Sequence, residues 1–159
     1  MRVRSLFAIL GLLLLVLSGI MLIPLGVSWF MGSTEDYPAF LSSIAITFTV
    51  GAVFWILNLN NLKDIRVREA FTVVGLSWVM VSFFGALPFW LSPSGIPNLL
   101  DAYFETMSGF TTTGATILKD VEVLSPGLLF WRSLTQWLGG MGFVLLTLAV
   151  MPLLGSGGV

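Results

Sequence analysis

Cysteine and histidine are both absent from the 159 residues. Their absence removes disulfide frameworks, thiolate and imidazole metal ligands, cysteine nucleophiles and histidine general bases together. Charge is nearly as scarce. Only 9% of residues are charged, against about 25% in an ordinary soluble domain. The seven Lys and Arg form no basic patch, which argues against a nucleic-acid partner. A serine-lysine hydrolase would need Lys63 or Lys119, and neither has a serine motif beside it. No enzymatic activity and no cofactor are therefore expected. What is abundant is apolar: 57% of residues are hydrophobic and the mean hydropathy is +1.00. The composition predicts an integral membrane protein, and the helical spans read from its charges make the expected class all-α.

The few charges mark the spans. A hydrocarbon core about 30 Å thick needs about 20 apolar residues, and four charge-poor stretches are long enough. The first covers residues 6–30, after Arg2 and Arg4, with Pro24 expected to kink it. It exceeds a secretory h-region and lacks a small-residue cleavage pattern, so it reads as a retained span. The second covers about residues 39–59, and the third about residues 70–91, stopped by Pro93 and Pro97. The fourth starts at Ser125-Pro126, an N-cap candidate with proline at the first helical position, and runs to about Leu154.

Basic residues flank the N-terminus (Arg2, Arg4) and the second connection (Lys63, Arg66, Arg68), while the first connection holds Glu35 and Asp36. The positive-inside rule then predicts a cytoplasmic N-terminus. The third connection faces outward with Asp101, Glu105, Lys119, Asp120 and Glu122, a balance that favours cations. Trp29, Trp90 and Trp131 near outer ends, and Trp55 near an inner end, read as interfacial anchors.

That outward connection contains an apolar stretch, about residues 98–110, with Asn98 as its capping candidate. At about 1.5 Å per residue it is too short to cross, which predicts a re-entrant helix followed by a non-helical return. The return begins with Thr111-Thr112-Thr113-Gly114-Ala115. Backbone carbonyls can replace the hydration shell of a potassium ion, threonine hydroxyls can add oxygens, and Gly114 permits backbone angles closed to other residues. The short helix would point its partly negative C-terminus at the same place. Threonine and glycine also serve as ordinary cap and turn residues, so the loop alone leaves both readings open.

The flanking residues decide the resemblance. The stretch Phe104-Glu105-Thr106-Met107-Ser108-Gly109-Phe110-Thr111-Thr112-Thr113-Gly114-Ala115-Thr116, followed by Trp131-Arg132-Ser133-Leu134-Thr135-Gln136-Trp137-Leu138-Gly139-Gly140-Met141-Gly142, closely resembles the first pore repeat of the TrkH/TrkG potassium-uptake family, part of the superfamily that includes KtrB. The resemblance extends over essentially the whole chain. It implies two leading transmembrane helices in residues 1–62, then a pore repeat in residues 63–159: helix about 70–91, pore helix about 98–110, filter 111–115 and helix about 125–154. It implies potassium uptake across the bacterial inner membrane, with potassium held by the backbone carbonyls of Thr112, Thr113 and Gly114 among filter residues Thr111 to Ala115. It also implies a TrkA-like cytoplasmic nucleotide-binding regulator and three further repeats that complete the ring.

Those further repeats are not in these residues, so the chain is expected to be a fragment of a TrkH-type transporter supplying one of four filter strands. The alternatives are a homotetrameric cation channel and a non-transporting anchor or assembly subunit. Arg132 lies about seven residues into the fourth span; it either snorkels outward or pairs with Asp101, Glu105 or Asp120. Glu105 either supports the filter by hydrogen bonding or sits as a solvated charge at the mouth. The Gly139-Gly140-Met141-Gly142 run is expected to serve close helix packing rather than a hinge.

Overall fold

The computed structural model describes residues 3–58 and 67–155, with side-chain surroundings given for residues 4–58 and 71–142. The described residues are mostly helical, joined by turns and, over residues 111–125, by a longer connection. Helix α1 (Val3–Ile20) and helix α2 (Leu22–Phe30) form one interrupted span. Pro24 explains the interruption: it has no N–H to offer the carbonyl four residues back, Ile20, and the helix is broken at Met21 between them. A single 3-10 turn (Thr34–Asp36) leads into α3 (Tyr37–Asn58), which returns along α1. Gly11 and Gly51 allow that pairing, since a side chain at Gly11 would meet the backbone of Gly51 and Trp55.

The second half repeats the use of proline. Helix α4 (Val67–Gly85) and the short α5 (Leu87–Leu91) are separated at Ala86, two residues before Pro88. Helix α6 (Leu99–Phe110) has 12 residues, about 18 Å at the usual rise, and so cannot cross. Helix α7 (Pro126–Gly155) has 30 residues. Among the described residues, three stretches are long and apolar enough to span a membrane: Arg4–Phe30, Thr34–Asn58 and Phe71–Leu91. The predicted loop charges Lys63, Asp64 and Arg66 lie outside the described residues, as do the side chains of Arg68 and Glu69.

The main core joins the leading helices to the second half through Leu14, Leu17, Met21, Phe40, Phe89, Phe110, Leu128 and Trp131. The outer surface is apolar as well, with Leu22, Phe30, Leu57 and Phe71 exposed. In water this surface would drive aggregation; against hydrocarbon it costs nothing. Trp29 and Trp90 are exposed and fit the expected interfacial belt.

Trp131 corrects that expectation. It is fully buried, its Nε1 donates to the Gly85 carbonyl at 2.9 Å, and its ring meets Phe110 edge-on at 6.4 Å. Gly85 ends α4, where carbonyls lack partners within their own helix, and the indole supplies a donor. Position near a span end therefore does not separate an anchor from a core residue. Only the direction of the side chain does.

Candidate functional site: a threonine-glycine loop carried by a buried short helix

Helix α6 starts where the sequence indicates. Asn98 is its N-cap, and the Asn98 side chain accepts the Leu100 N–H at 3.0 Å. The helix is held on two sides, against α4 and against α7. Gly139 of α7 lies against the backbone of Phe110, an approach that any side chain there would block. The glycine run thus serves packing at this point, as expected from its composition.

The chain leaves α6 by a tight turn. The N–H groups of Thr111, Thr112 and Thr113 donate back to the carbonyls of Met107, Gly109 and Ser108 at 2.9, 2.9 and 3.0 Å. Thr111 Oγ1 adds a bond to the Met107 carbonyl at 2.7 Å and lies 2.8 Å from Thr113 Oγ1. The carbonyls of Met107, Ser108 and Gly109 in the last turn of the helix are thereby occupied by the loop.

Backbone angles in this loop depart from ordinary extended chain. Thr112 has φ 55° and Gly114 has φ 75°. Nothing lies within 4 Å of where a side chain on Gly114 would begin, so the glycine is required by conformation and not by crowding. For the β-branched Thr112 the left-handed region is a real outlier, with a cost of about 1–3 kcal/mol. The Thr112 Oγ1 bond to the Thr111 carbonyl, 2.7 Å, helps hold it there.

The carbonyls divide into two groups. Those of Thr111 and Ala115 already receive donors, from Thr112 Oγ1 at 2.7 Å and from Ser108 Oγ at 2.6 Å. Among the described residues, no donor reaches the carbonyls of Thr112, Thr113 or Gly114. Residues 111–117 are exposed along this face. Three free oxygens are thus held between two tethered ones.

Behind the loop lies a carboxylate. Glu105 is 2% exposed, and its Oε1 accepts Arg132 Nε at 2.7 Å. Its Oε2 accepts the Thr116 hydroxyl at 2.9 Å and the Ile117 N–H at 3.1 Å. Of the three acids considered for Arg132, the fold selects Glu105, one turn before the end of α6 and facing α7. Asp120 instead caps the short turn Val121–Val123 by accepting the Glu122 N–H at 2.9 Å, and Asp101 occupies the first turn of α6. The pair binds α6, α7 and the returning chain into one unit. Glu105 is therefore not a solvated mouth charge.

Two contributors escaped the sequence reading. Ser108 reaches seven residues ahead to the Ala115 carbonyl, a spacing tied to no regular element. Asp36, taken from the sequence as a plain loop charge, is fully buried.

With this geometry in hand, comparison with known proteins is decisive. The family model for TrkH, a cation transport protein, matches residues 36–159. The chain belongs to the TrkH family. The Trk system potassium uptake protein TrkH of Halomonas elongata is 38% identical over 159 residues, covering 100% of this chain and 33% of that protein. The potassium uptake protein TrkG of Escherichia coli K12 is 34% identical over 157 residues, covering 99% of this chain and 32% of its own. The crystal structure of the potassium transporter TrkH from Vibrio parahaemolyticus superposes with a TM-score of 0.89 at 35% identity, over 100% of this chain and 34% of that one. This TrkH-family chain thus spans about a third of the length of the relatives it matches. It shares their all-α integral-membrane architecture: two leading helices, then a helix, a re-entrant helix with its loop, and a helix.

Proposed function

We propose that this chain takes part in potassium uptake across the bacterial inner membrane, supplying one of four strands of a carbonyl-lined filter. The observation that carries the reading is the set of three carbonyls at Thr112, Thr113 and Gly114, unpartnered among the described residues and held between tethered carbonyls at Thr111 and Ala115. A potassium ion shed of water needs several such oxygens at once. Alternating backbone handedness turns successive carbonyls toward one side, whereas ordinary extended chain sends them to opposite sides. Thr111 at φ −83°, Thr112 at φ 55° and Gly114 at φ 75° fit that requirement.

One strand provides a quarter of a fourfold ring, and its exposed face fits completion by three further strands. In this reading residues 1–62 form a leading helix pair and residues 63–159 one pore repeat. Glu105 and Arg132 support the filter from behind. The N-terminus lies in the cytoplasm, on the side of a TrkA-like nucleotide-binding regulator. The chemistry is coordination and release of an ion, with no catalytic residue and no cofactor.

The test uses potassium-uptake-deficient cells expressing the full reading frame that contains this chain. Gly114→Ser should lower the preference for potassium over sodium without lowering the amount of protein in the membrane. An unchanged preference would remove Gly114 from the filter.

A further inference from the structure

Asp36 closes the turn between α2 and α3 and is 0% exposed. Its Oδ1 accepts two hydroxyls, Ser92 Oγ at 2.7 Å and Ser94 Oγ at 2.9 Å, from a segment 56 residues further on. Its Oδ2 is buried without a hydrogen-bonding partner among the described residues. A carboxyl group in such a place is costly to bury, and the two hydroxyl bonds offset part of that cost. Among the described residues, the hydrogen bonds of its side chain run to this one segment, and the segment leads to the pore helix.

The path can be followed bond by bond. Ser92 ends α5, and its Oγ accepts the Ser94 N–H at 3.2 Å. Gly95 N–H donates to the Ser92 carbonyl at 3.1 Å, and Ile96 N–H returns to the Phe89 carbonyl at 2.8 Å. Ile96 is itself in the core, 3% exposed. Two residues later Asn98 caps α6, and α6 carries the threonine-glycine loop at its other end. The segment between α5 and α6 is a braced bend, and Asp36 is its brace from the leading helix pair.

We propose that Asp36 is a positioning residue for the filter: through Ser92 and Ser94 the leading helix pair fixes the bend at residues 92–98 and so sets where α6 holds the loop. The leading helices then act on ion selection at a distance, without lining the path. This inference rests on the filter reading above. Its test therefore includes a measurement that does not depend on transport.

A single reporter, Ile96→Cys, is placed in the full reading frame on a background without other cysteines, and labelling by a maleimide is followed on purified protein. With Asp36 intact the reporter should stay protected. With Asp36→Asn, whose amide oxygen can still accept both hydroxyls, protection and potassium-over-sodium preference should both persist. With Asp36→Ala, labelling should rise several-fold and the preference should fall several-fold at equal membrane abundance. The triple change Asp36→Ala, Ser92→Ala, Ser94→Ala removes both sides of the brace at once, together with the acceptor of the part-buried Ser94 N–H; it should behave as Asp36→Ala does. A triple variant with a protected reporter and normal preference would overturn the proposal. Failure of the triple variant to reach the membrane would overturn it too, because Asp36 would then serve folding and not filter placement. If labelling rises with Asp36→Ala but preference is insensitive to both Asp36→Ala and Gly114→Ser, the filter reading fails while the brace stands.

Discussion

Glu105 on the re-entrant helix and Arg132 on the following span meet at 2.7 Å, with the Glu105 side chain 1% exposed and that of Arg132 22% exposed. Because the same carboxylate accepts Thr116 Oγ1 and the Ile117 N–H, one group ties together both helices and the strand returning from the loop. Its oxygens serve three donors, which repays part of the desolvation cost.

Loss of one partner of a buried pair is expected to hurt more than loss of both. Arg132→Gln leaves a buried carboxylate short of its charge partner, and a loss of about 3 kcal/mol is expected, reduced by the partial exposure of the arginine. Glu105→Gln with Arg132→Gln should recover part of that. Thermal unfolding of the detergent-purified protein measures both; equal destabilisation by the single and double variants would count against the pair as an energetic unit.

Thr112 and Gly114 should respond oppositely to the same kind of change. Gly114→Ala forces a side chain into the left-handed region at φ 75°, with a cost of about 1–2 kcal/mol. Thr112→Gly relieves such a cost at φ 55°, so the folded protein should be no less stable than the unaltered one. Thr112→Val keeps the cost and loses the bond to the Thr111 carbonyl, so it should be the least stable at that position. Melting temperatures of the three variants give the order.

Ser108→Ala removes the donor that holds the Ala115 carbonyl. A loss of about 1 kcal/mol in stability is expected from one hydrogen bond. On the filter reading, the freed carbonyl also loosens ion selection. Competitive uptake of potassium against rubidium and sodium checks this, and a selectivity identical to the unaltered protein would confine Ser108 to a packing role.

Trp131→Phe preserves most of the buried ring and removes the indole donor to Gly85. The carbonyl left without its donor should cost about 1–3 kcal/mol. An exposed interfacial anchor would show almost no change in detergent. The two roles are therefore separated by one melting curve.

Much of the architecture was legible because a membrane makes strong demands on sequence. Spans must be long and apolar, charges must fall between them, and a 12-residue helix cannot cross. The cap at Asn98, the start at Pro126 and the break ahead of Pro24 follow from backbone chemistry that depends on a few neighbouring residues; the break ahead of Pro88 obeys the same chemistry, but the sequence reading ran one span straight through it. The loop from Thr111 to Ala115 was visible for the same reason: polar, glycine-bearing chain stands out between apolar helices.

What lies beyond neighbouring residues was decided by packing. Three carboxylates were within reach of Arg132 by sequence, and the rotation of α6 against α7 chose Glu105. Trp131 looked like an anchor by its place along a span, and the packing that brings its indole to the Gly85 carbonyl turned it inward. Asp36 read only as one of two acids in the first connection until the fold brought Ser92 and Ser94 onto it. Hydrophobicity and helix length act along the chain, so the sequence by itself determined a membrane protein with a re-entrant unit and a candidate ion loop. Hydrogen bonds between residues 27 or 56 positions apart depend on how helices rotate and approach, and only the tertiary structure decided which polar groups hold that loop in place.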